Sequence, residues 1–395
     1  MNFIFVSPNF PDSYWNFCDR LKKNGVTVLG IGDAPYDSLS ENLKKSLTEY
    51  YRVSNMEDYG QMFKAVAFFS WKYGKIDWIE SNNEYWLESD AKLRTDFHVT
   101  TGVQEDQIDF IKEKSLMKKI YIENHIPTAR QCRVTDQEHA KNFIQETGYP
   151  VIVKPDVGVG ATNTWKLCND ADLARFFAHQ PDVPYVMEEF IEGDICSYDA
   201  IVNAEGEPLF ESMTHWPSSI MDIVEKQLDL SYYTAATVPE KLKELGRKTV
   251  KAFHVKSRFV HLEFFCLDHA RKNLGDKGDF VALEVNMRPA GGYTPDMMDF
   301  AHNTDVYQIY ADMVTEDRRV LPKGKDQYCA YASRRDIYQY VHSHDDIMQT
   351  YGSQIVMQEE MPEMNWPQMG RYMYTAKLNT LEETEQFIDY VQAKK

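Results

Sequence analysis

The chain has 395 residues, with 43 Lys plus Arg against 61 Asp plus Glu and a formal net charge of −18 at pH 7. An exterior that negative repels nucleic acid and anionic membrane surfaces, so any phosphate binding has to be confined to a local basic pocket. Six scattered cysteines, at 18, 132, 168, 196, 266 and 329, form no CxxC pair, which argues against a zinc site or disulfide scaffold and for a reducing compartment such as the cytoplasm.

The length suits two to four compact units. No basic leader precedes MNFIFV, and no stretch approaches the roughly 20 apolar residues that span a bilayer, so a protein with neither membrane nor nucleic-acid partners is expected.

Residues 1–97 alternate short apolar runs (FIFV, VTVLGI, DWIE) with amphipathic segments, the pattern of a βαβ lobe. The first strand runs into SPNFPDSYW rather than GxGxxG, so a dinucleotide pyrophosphate has no glycine-lined approach, although Asp33 follows the second strand. A charged amphipathic helix is expected from Thr100 to about Asn124, ending before Pro127. Residues 98–190 then form a smaller α/β unit, with strands near 128–134, 150–154, 164–168 and 185–191. One helix opens at Asp136 as N-cap and another after Asp170.

Residues 191–320 read as a third, antiparallel layer that begins with the hairpin CSYDAIVNA and EPLFESMTHW, turned at Glu205-Gly206. Thr237-Val238-Pro239-Glu240 has the form of a capping box opening a helix through Leu242, Leu245, Thr249 and Phe253. Strands at 258–266 and 280–287 follow, then helices over 295–316. Residues 321–395 make a small terminal α/β piece.

In ALEVNMRPAGG (282–292), strand alternation puts Glu284, Asn286 and Arg288 on one face. His261 and Glu263 share a face of the preceding strand, and antiparallel pairing would bring Glu263 beside Glu284. Two carboxylates and an amide make an all-oxygen set suited to Mg²⁺, with a guanidinium next to it for phosphate. A solvated edge strand is the competing account of the same alternation. Upstream, VIVKPDVGVGATNT delivers Lys154 and then Gly158 and Gly160; glycines let backbone N–H groups approach phosphate oxygens, and lysine adds a point charge. YVMEEFIEG leaves polar backbone crossing between two lobes, where an adenine edge can bond.

In this order, Lys114 ahead of the IP of HIPTA, Lys154 with its glycine loop, the EEFIEG hinge, Glu263 in HLEFF and the LEVNMRP strand resemble the ATP-grasp superfamily over residues 1 to 316. The NMRPAGG ending is similar to carboxylate-amine ligases, including carbamoyl-phosphate synthase large chains and amino acid ligases; the RxQVEH of biotin carboxylases is absent. The resemblance implies an α/β and α+β fold: a Rossmann-like pre-ATP-grasp domain (1–97), linker helix and lid (98–190), antiparallel catalytic subdomain (191–320) and C-terminal subdomain (321–395).

It further implies that Lys114 and Lys154 contact phosphates, that the Glu189 carbonyl and Ile191 N–H bond adenine with Glu188 nearby, and that Arg288 stabilises the transferring phosphoryl group. Glu263, Glu284 and Asn286 would hold Mg²⁺ or Mn²⁺. The family's ribose acid falls on Ile195 here, flanked by Asp194. The implied reaction joins a small-molecule carboxylate to an amine through an acyl phosphate, releasing ADP and phosphate. A bicarbonate-activating carboxylase and a non-catalytic ATP sensor are the alternatives, and a homodimer is left open.

Four further features have two readings each. Glu84 is a cleft-facing acid or a helix-terminal one. Arg334 and Arg335 clamp a carboxylate or form a surface basic pair. Loop 212–222, with Trp216, and Tyr293 line the acceptor pocket or are incidental aromatics. His342 and His344 are read as solvated.

Overall fold

The computed structural model describes residues 1–158, 163–217, 223–224 and 226–395. Strands β1 (Asn2–Val6), β2 (Thr27–Gly32), β3 (Glu49–Arg52) and β4 (Trp78–Glu80) form a parallel sheet in the order β3-β2-β1-β4. Phe3, Ile4, Phe5 and Val6 are all fully buried, because helices cover both faces of a parallel sheet and leave no room for polar alternation. The chain goes one way from β1 to β2 and the other to β4. The carboxyl ends of β1 and β4 therefore flank a switch-point crevice, from which the 7–14 and 81–84 loops emerge.

A second sheet, antiparallel, contains β5 (Gln131–Arg133), β6 (Val151–Pro155), β7 (Trp165–Leu167) and β8 (Tyr185–Glu189) in the order β5-β8-β6-β7. Its own core includes Ala140, Val153, Leu173 and Phe176. Asp136 caps the helix Gln137–Thr147 by accepting from His139 N–H. The helix Asp170–His179 is capped by Asn169, which accepts from Asp172 N–H.

The expected helix over 100–124 is interrupted. A short helix Asp109–Lys112 ends, Glu113 is extended, and a new helix runs Lys114–Glu123. Asp156 accounts for the break: its carbonyl accepts from Lys114 N–H at 2.9 Å and its carboxylate from Ser115 N–H at 2.8 Å. These bonds satisfy donors that a continuous helix would have paired internally.

The third sheet is built from β9 (Gly193–Val202), β10 (Pro208–Ser212), β11 (Thr214–Trp216), β12 (Ser231–Thr234), β13 (Arg258–Leu267), β14 (Phe280–Asn286), β15 (Tyr328–Arg334), β16 (Ile355–Glu360) and β17 (Tyr372–Leu378). Its order is β14-β13-β9-β11-β12-β15-β17-β16, with β10 on β9. The terminal piece is thus not a separate sheet: β15 pairs with β12 from Ser231 opposite Ala332 to Thr234 opposite Cys329. No capping box forms at 237–240, because Pro239 itself is the N-cap of helix Glu240–Ala252 and offers no side-chain acceptor.

The parallel lobe and the large sheet share one core. Phe17 meets Tyr307 edge-on at 4.7 Å and Tyr310 at 5.0 Å, and Arg20 pairs with Asp305 at 2.9 Å. Among the described residues, no helix is long and apolar enough to cross a membrane.

Candidate functional site

The site lies where β13 and β14 meet the second sheet. Register sets Glu263 opposite Glu284 and His261 opposite Asn286, and a bulge follows as Phe264 pairs with Ala282. The extra residue bends β14 next to the carboxylates. Ala282 N–H also donates to Pro127 O at 2.7 Å, which docks the base of the second sheet on β14.

Three lysines reach this wall. Lys114 Nζ lies 3.4 Å from Glu284 Oε1 and 3.2 Å from the carbonyl of Gly158. Glu188 is clasped between Lys154 at 2.7 Å and Lys118 at 3.0 Å, and Gln131 donates to its Oε1 at 2.9 Å. Burial opposes charge on Glu188, but Lys118 and Lys154 outweigh it and hold the carboxyl well below its usual range. For Lys154 burial likewise opposes the charge, and Glu188 and Glu284 raise its pKa overall. Lys118 goes the other way, lowered because burial dominates. Lys118 has no place in the sequence reading, although it sits one helical turn after Lys114 and so faces the same way.

Gly158 has φ of +159°, essentially extended; Gly160 lies outside the described residues. The hinge leaves β8 at Glu189, whose carboxylate takes both the N–H of Arg130 and its guanidinium, at 2.8 Å each. Phe190 has Lys166 Nζ 3.8 Å over its ring, and Ile191 is buried against Ala129, Leu267 and Val281. Asp194 bonds His215 at 3.2 Å and stays half exposed, while Ile195 pairs with Phe265 in the ladder.

Behind the carboxylates, His261 joins Glu263 at 3.1 Å to Asp199 at 2.7 Å, and Ser197 donates to Asp199. Burial lowers the affinity of His261 for its proton, but Asp199 and Glu263 more than offset this and push its pKa up to about 9. Asn286 is 5% exposed, and its amide nitrogen has no hydrogen-bond partner among the described residues.

Arg288 extends the face, with Nη2 3.4 Å from Asn286 Oδ1 and Nε 3.6 Å from Glu84 Oε2 across the crevice. Burial raises the pKa of Glu84; Arg288 works against this and Glu284 with it. Among the described residues no three His, Cys, Asp or Glu side chains converge as a metal-holding group. The oxygen-rich set is therefore two opposed carboxylates and one amide, a donor chemistry that fits Mg²⁺, which keeps its other positions for water and phosphate.

Trp216 stacks on Tyr232 and meets His261 edge-on at 5.7 Å. Tyr293 donates to Glu359 at 2.5 Å, and residues 218–222 of the loop lie outside the described residues. Arg334 and Arg335 do not form a free surface pair: both line a cavity and are bonded to backbone carbonyls. Arg334 is 7% exposed and donates to the carbonyls of Val391 and His342, and Arg335 donates to those of Leu228, Trp366 and Pro367. Both fasten the terminal piece. His342 is not solvated in isolation but stacks on Tyr390, and His344 bonds Tyr374. A cavity of about 550 Å³ beside Tyr338, Tyr340 and Tyr374 includes none of the phosphate or metal candidates.

Residues 112–292 match the profile of the ATP-grasp domain. The carbamoyl phosphate synthase large chain of Agathobacter rectalis is 25% identical over 195 residues, 47% of this chain but 17% of that protein. An L-arginine-specific L-amino acid ligase of Bacillus subtilis is 24% identical over 268 residues, 65% of this chain and 62% of the ligase. The chain therefore spans only part of the length of these relatives. In three dimensions, the biotin carboxylase domain of Hydrogenobacter thermophilus 2-oxoglutarate carboxylase, solved with MgADP and bicarbonate, superposes with a TM-score of 0.71 at 14% identity, covering 99% of this chain and 90% of that one.

Proposed function

We propose that this chain, whose residues 112–292 match the ATP-grasp domain, is an ATP-dependent carboxylate-amine ligase. A substrate carboxylate attacks the γ-phosphate of ATP to give an acyl phosphate, and an amine opens it to an amide, releasing ADP and phosphate. The observation that carries this reading is the opposition of Glu263 and Glu284 with Lys114 beside them and Arg288 at the end of the same face. A transfer of this kind needs positioning and charge neutralisation rather than a protein nucleophile.

In this reading Lys114 and Lys154 bind the phosphates, and the backbone of Glu189 and Ile191 bonds adenine at the hinge beside Glu188. Arg288 lies against the phosphoryl group as charge builds on its oxygens. Glu263, Glu284 and Asn286 hold the divalent cation, which when bound neutralises phosphate charge. Glu84, facing Arg288 at 3.6 Å, lies where its carboxylate can take the proton that an incoming ammonium must lose before its lone pair attacks the acyl phosphate. The domain limits of 1–97, 98–190, 191–320 and 321–395 belong to the same proposal.

The test is ADP release with Mg²⁺ against panels of carboxylates and amines, bicarbonate included, with hydroxylamine as a trap. Hydroxamate formed only with one carboxylate supports the ligase and names its first substrate. ADP release driven by bicarbonate alone would move the assignment to a carboxylase. ATP binding without any stimulated release would leave a sensor.

A further inference from the structure

Four charged side chains sit in the interior between the parallel lobe and the large sheet: Glu80 is 2% exposed, Asp90 0%, Arg94 0% and Arg258 1%. Burying ionised groups such as Glu80, Arg94 and Arg258 costs several kcal/mol per ion unless their bonds are made well, so their placement needs an explanation beyond packing. Arg258 opens β13 and reaches back to the end of β14. Its Nε and Nη2 donate to the carbonyl of Met287 at 3.2 and 2.8 Å. That carbonyl belongs to the peptide unit whose nitrogen is Arg288. The same Nη2 donates to Glu80 Oε2 at 3.0 Å, across 178 residues of sequence.

Glu80 is the last residue of β4, immediately before the loop that carries Glu84. Arg94 supports it at 3.4 Å while donating to the carbonyl of Ile79 at 2.7 Å. Asp90 accepts from Ser81 N–H at 2.9 Å, and Asn82 turns the chain at a φ of +52°, a left-handed conformation that asparagine readily adopts. The loop with Glu84 and the loop with Arg288 are thus rooted on one buried cluster, and Arg258 is the residue that touches both.

We propose that Arg258 is a positioning residue which, through Met287 and Glu80, locks the Arg288 loop to the Glu84 loop, so that the two walls of the acceptor crevice keep a fixed separation. The consequence rests on the ligase reading: with the walls locked, the acyl phosphate forms next to the bound acceptor. With the lock removed, phosphoryl transfer and capture of the intermediate separate, and water takes the acyl group.

Two measurements test this, and the first does not depend on turnover. Backbone hydrogen exchange is followed at 81–85 and 287–292 in the wild type, in Arg258→Met and in the double variant Glu80→Gln/Arg258→Met. The double variant removes both charges of the Arg258–Glu80 pair, where the single one leaves Glu80 with Arg94 as its remaining guanidinium partner. Exchange should rise by about tenfold or more in both loops together, with β1 and β2 unchanged; a rise in one loop alone, or uniformly through the chain, would overturn the lock.

The second measurement is the ratio of ADP released to amide or hydroxamate formed. It should rise severalfold in the double variant, with kcat for amide down on the order of 10- to 100-fold and KM for ATP nearly unchanged. Arg258→Lys, which retains one charge and one donor, should recover part of the ratio. A wild-type ratio in a folded double variant would reduce Arg258 to a structural role. If no acceptor ever yields amide, the ligase reading fails while the exchange measurement still decides the lock.

Discussion

Glu263 and Glu284 are direct partners in the β13–β14 ladder, and a bulge follows them at once. Like charges facing each other across a ladder destabilise a sheet unless a cation lies between or beside them. Lys114, 3.4 Å from Glu284, supplies part of that charge and a divalent cation would supply the rest. Glu284→Gln should therefore reduce turnover on the order of 100-fold or more, while ATP still binds weakly through the hinge and lysines. Calorimetric titration with ATP and Mg²⁺ beside ADP release separates the two effects; near-normal turnover would remove the metal assignment. Chelation of the cation should abolish ADP release in the wild type.

The Lys118–Glu188–Lys154 clasp makes a stability prediction. Glu188→Gln leaves two buried ammonium groups facing a neutral amide, and a broken buried pair costs about 3–5 kcal/mol. Because the carboxyl of Glu188 is depressed below the ordinary glutamate value of 4.5, the unfolded chain takes up the proton first as pH falls. The contribution of Glu188 is thus fully present above about 4.5 and drains away below it. Urea unfolding from pH 7 to pH 3 should show the gap between the wild type and Glu188→Gln narrowing once the pH falls below about 4.5. Parallel curves would mean that the lysines do not stabilise this carboxylate.

Much of the wall was readable because strand period exposes it: Glu284, Asn286 and Arg288 alternate with buried Val285 and Met287, and no helix gives that pattern. What escaped depends on partners far away in sequence. The break before Lys114 is made by Asp156, and nothing in the local run KEKSLMKK signals it. Arg258 looks like a strand-end basic residue until Glu80, 178 positions earlier, is set beside it. The anchoring of Arg334 and Arg335 is invisible in the sequence because their acceptors are backbone carbonyls, which have no sequence signature.

Asp90 gives a pH dependence of opposite sign. Burial, and then the neighbouring charge of Glu80, push its carboxyl from 3.8 up to about 7. The folded protein therefore holds this proton in a window where the unfolded chain has released it. The contribution is full below 3.8 and falls as pH rises until it is lost at about 7. Asp90→Asn keeps an acceptor for Ser81 N–H but cannot titrate. Relative to it, the wild type should lose about 2 kcal/mol between pH 5 and pH 7 and only a few tenths of a kcal/mol above that. Denaturant midpoints at four pH values check this, and a constant difference would place the titration elsewhere.

Gly246 tests packing against propensity. It lies inside helix Glu240–Ala252, where alanine in place of glycine normally gains about 1 kcal/mol. Here an added Cβ would lie 2.3 Å from Cγ of Tyr198 and 2.6 Å from both adjacent ring carbons. The ring has little freedom to yield: Tyr198 is fully buried, its hydroxyl donates to Glu211 at 2.7 Å, and its backbone is paired opposite Leu262 on β13. Overpacking a filled interior costs about 1–3 kcal/mol, and a contact this short falls toward the upper end. Gly246→Ala should thus be net destabilising by about 1–2 kcal/mol. A thermal or urea transition on the purified variant reads this directly. A gain in stability would show that the ring yields, and with it the strand next to Glu263.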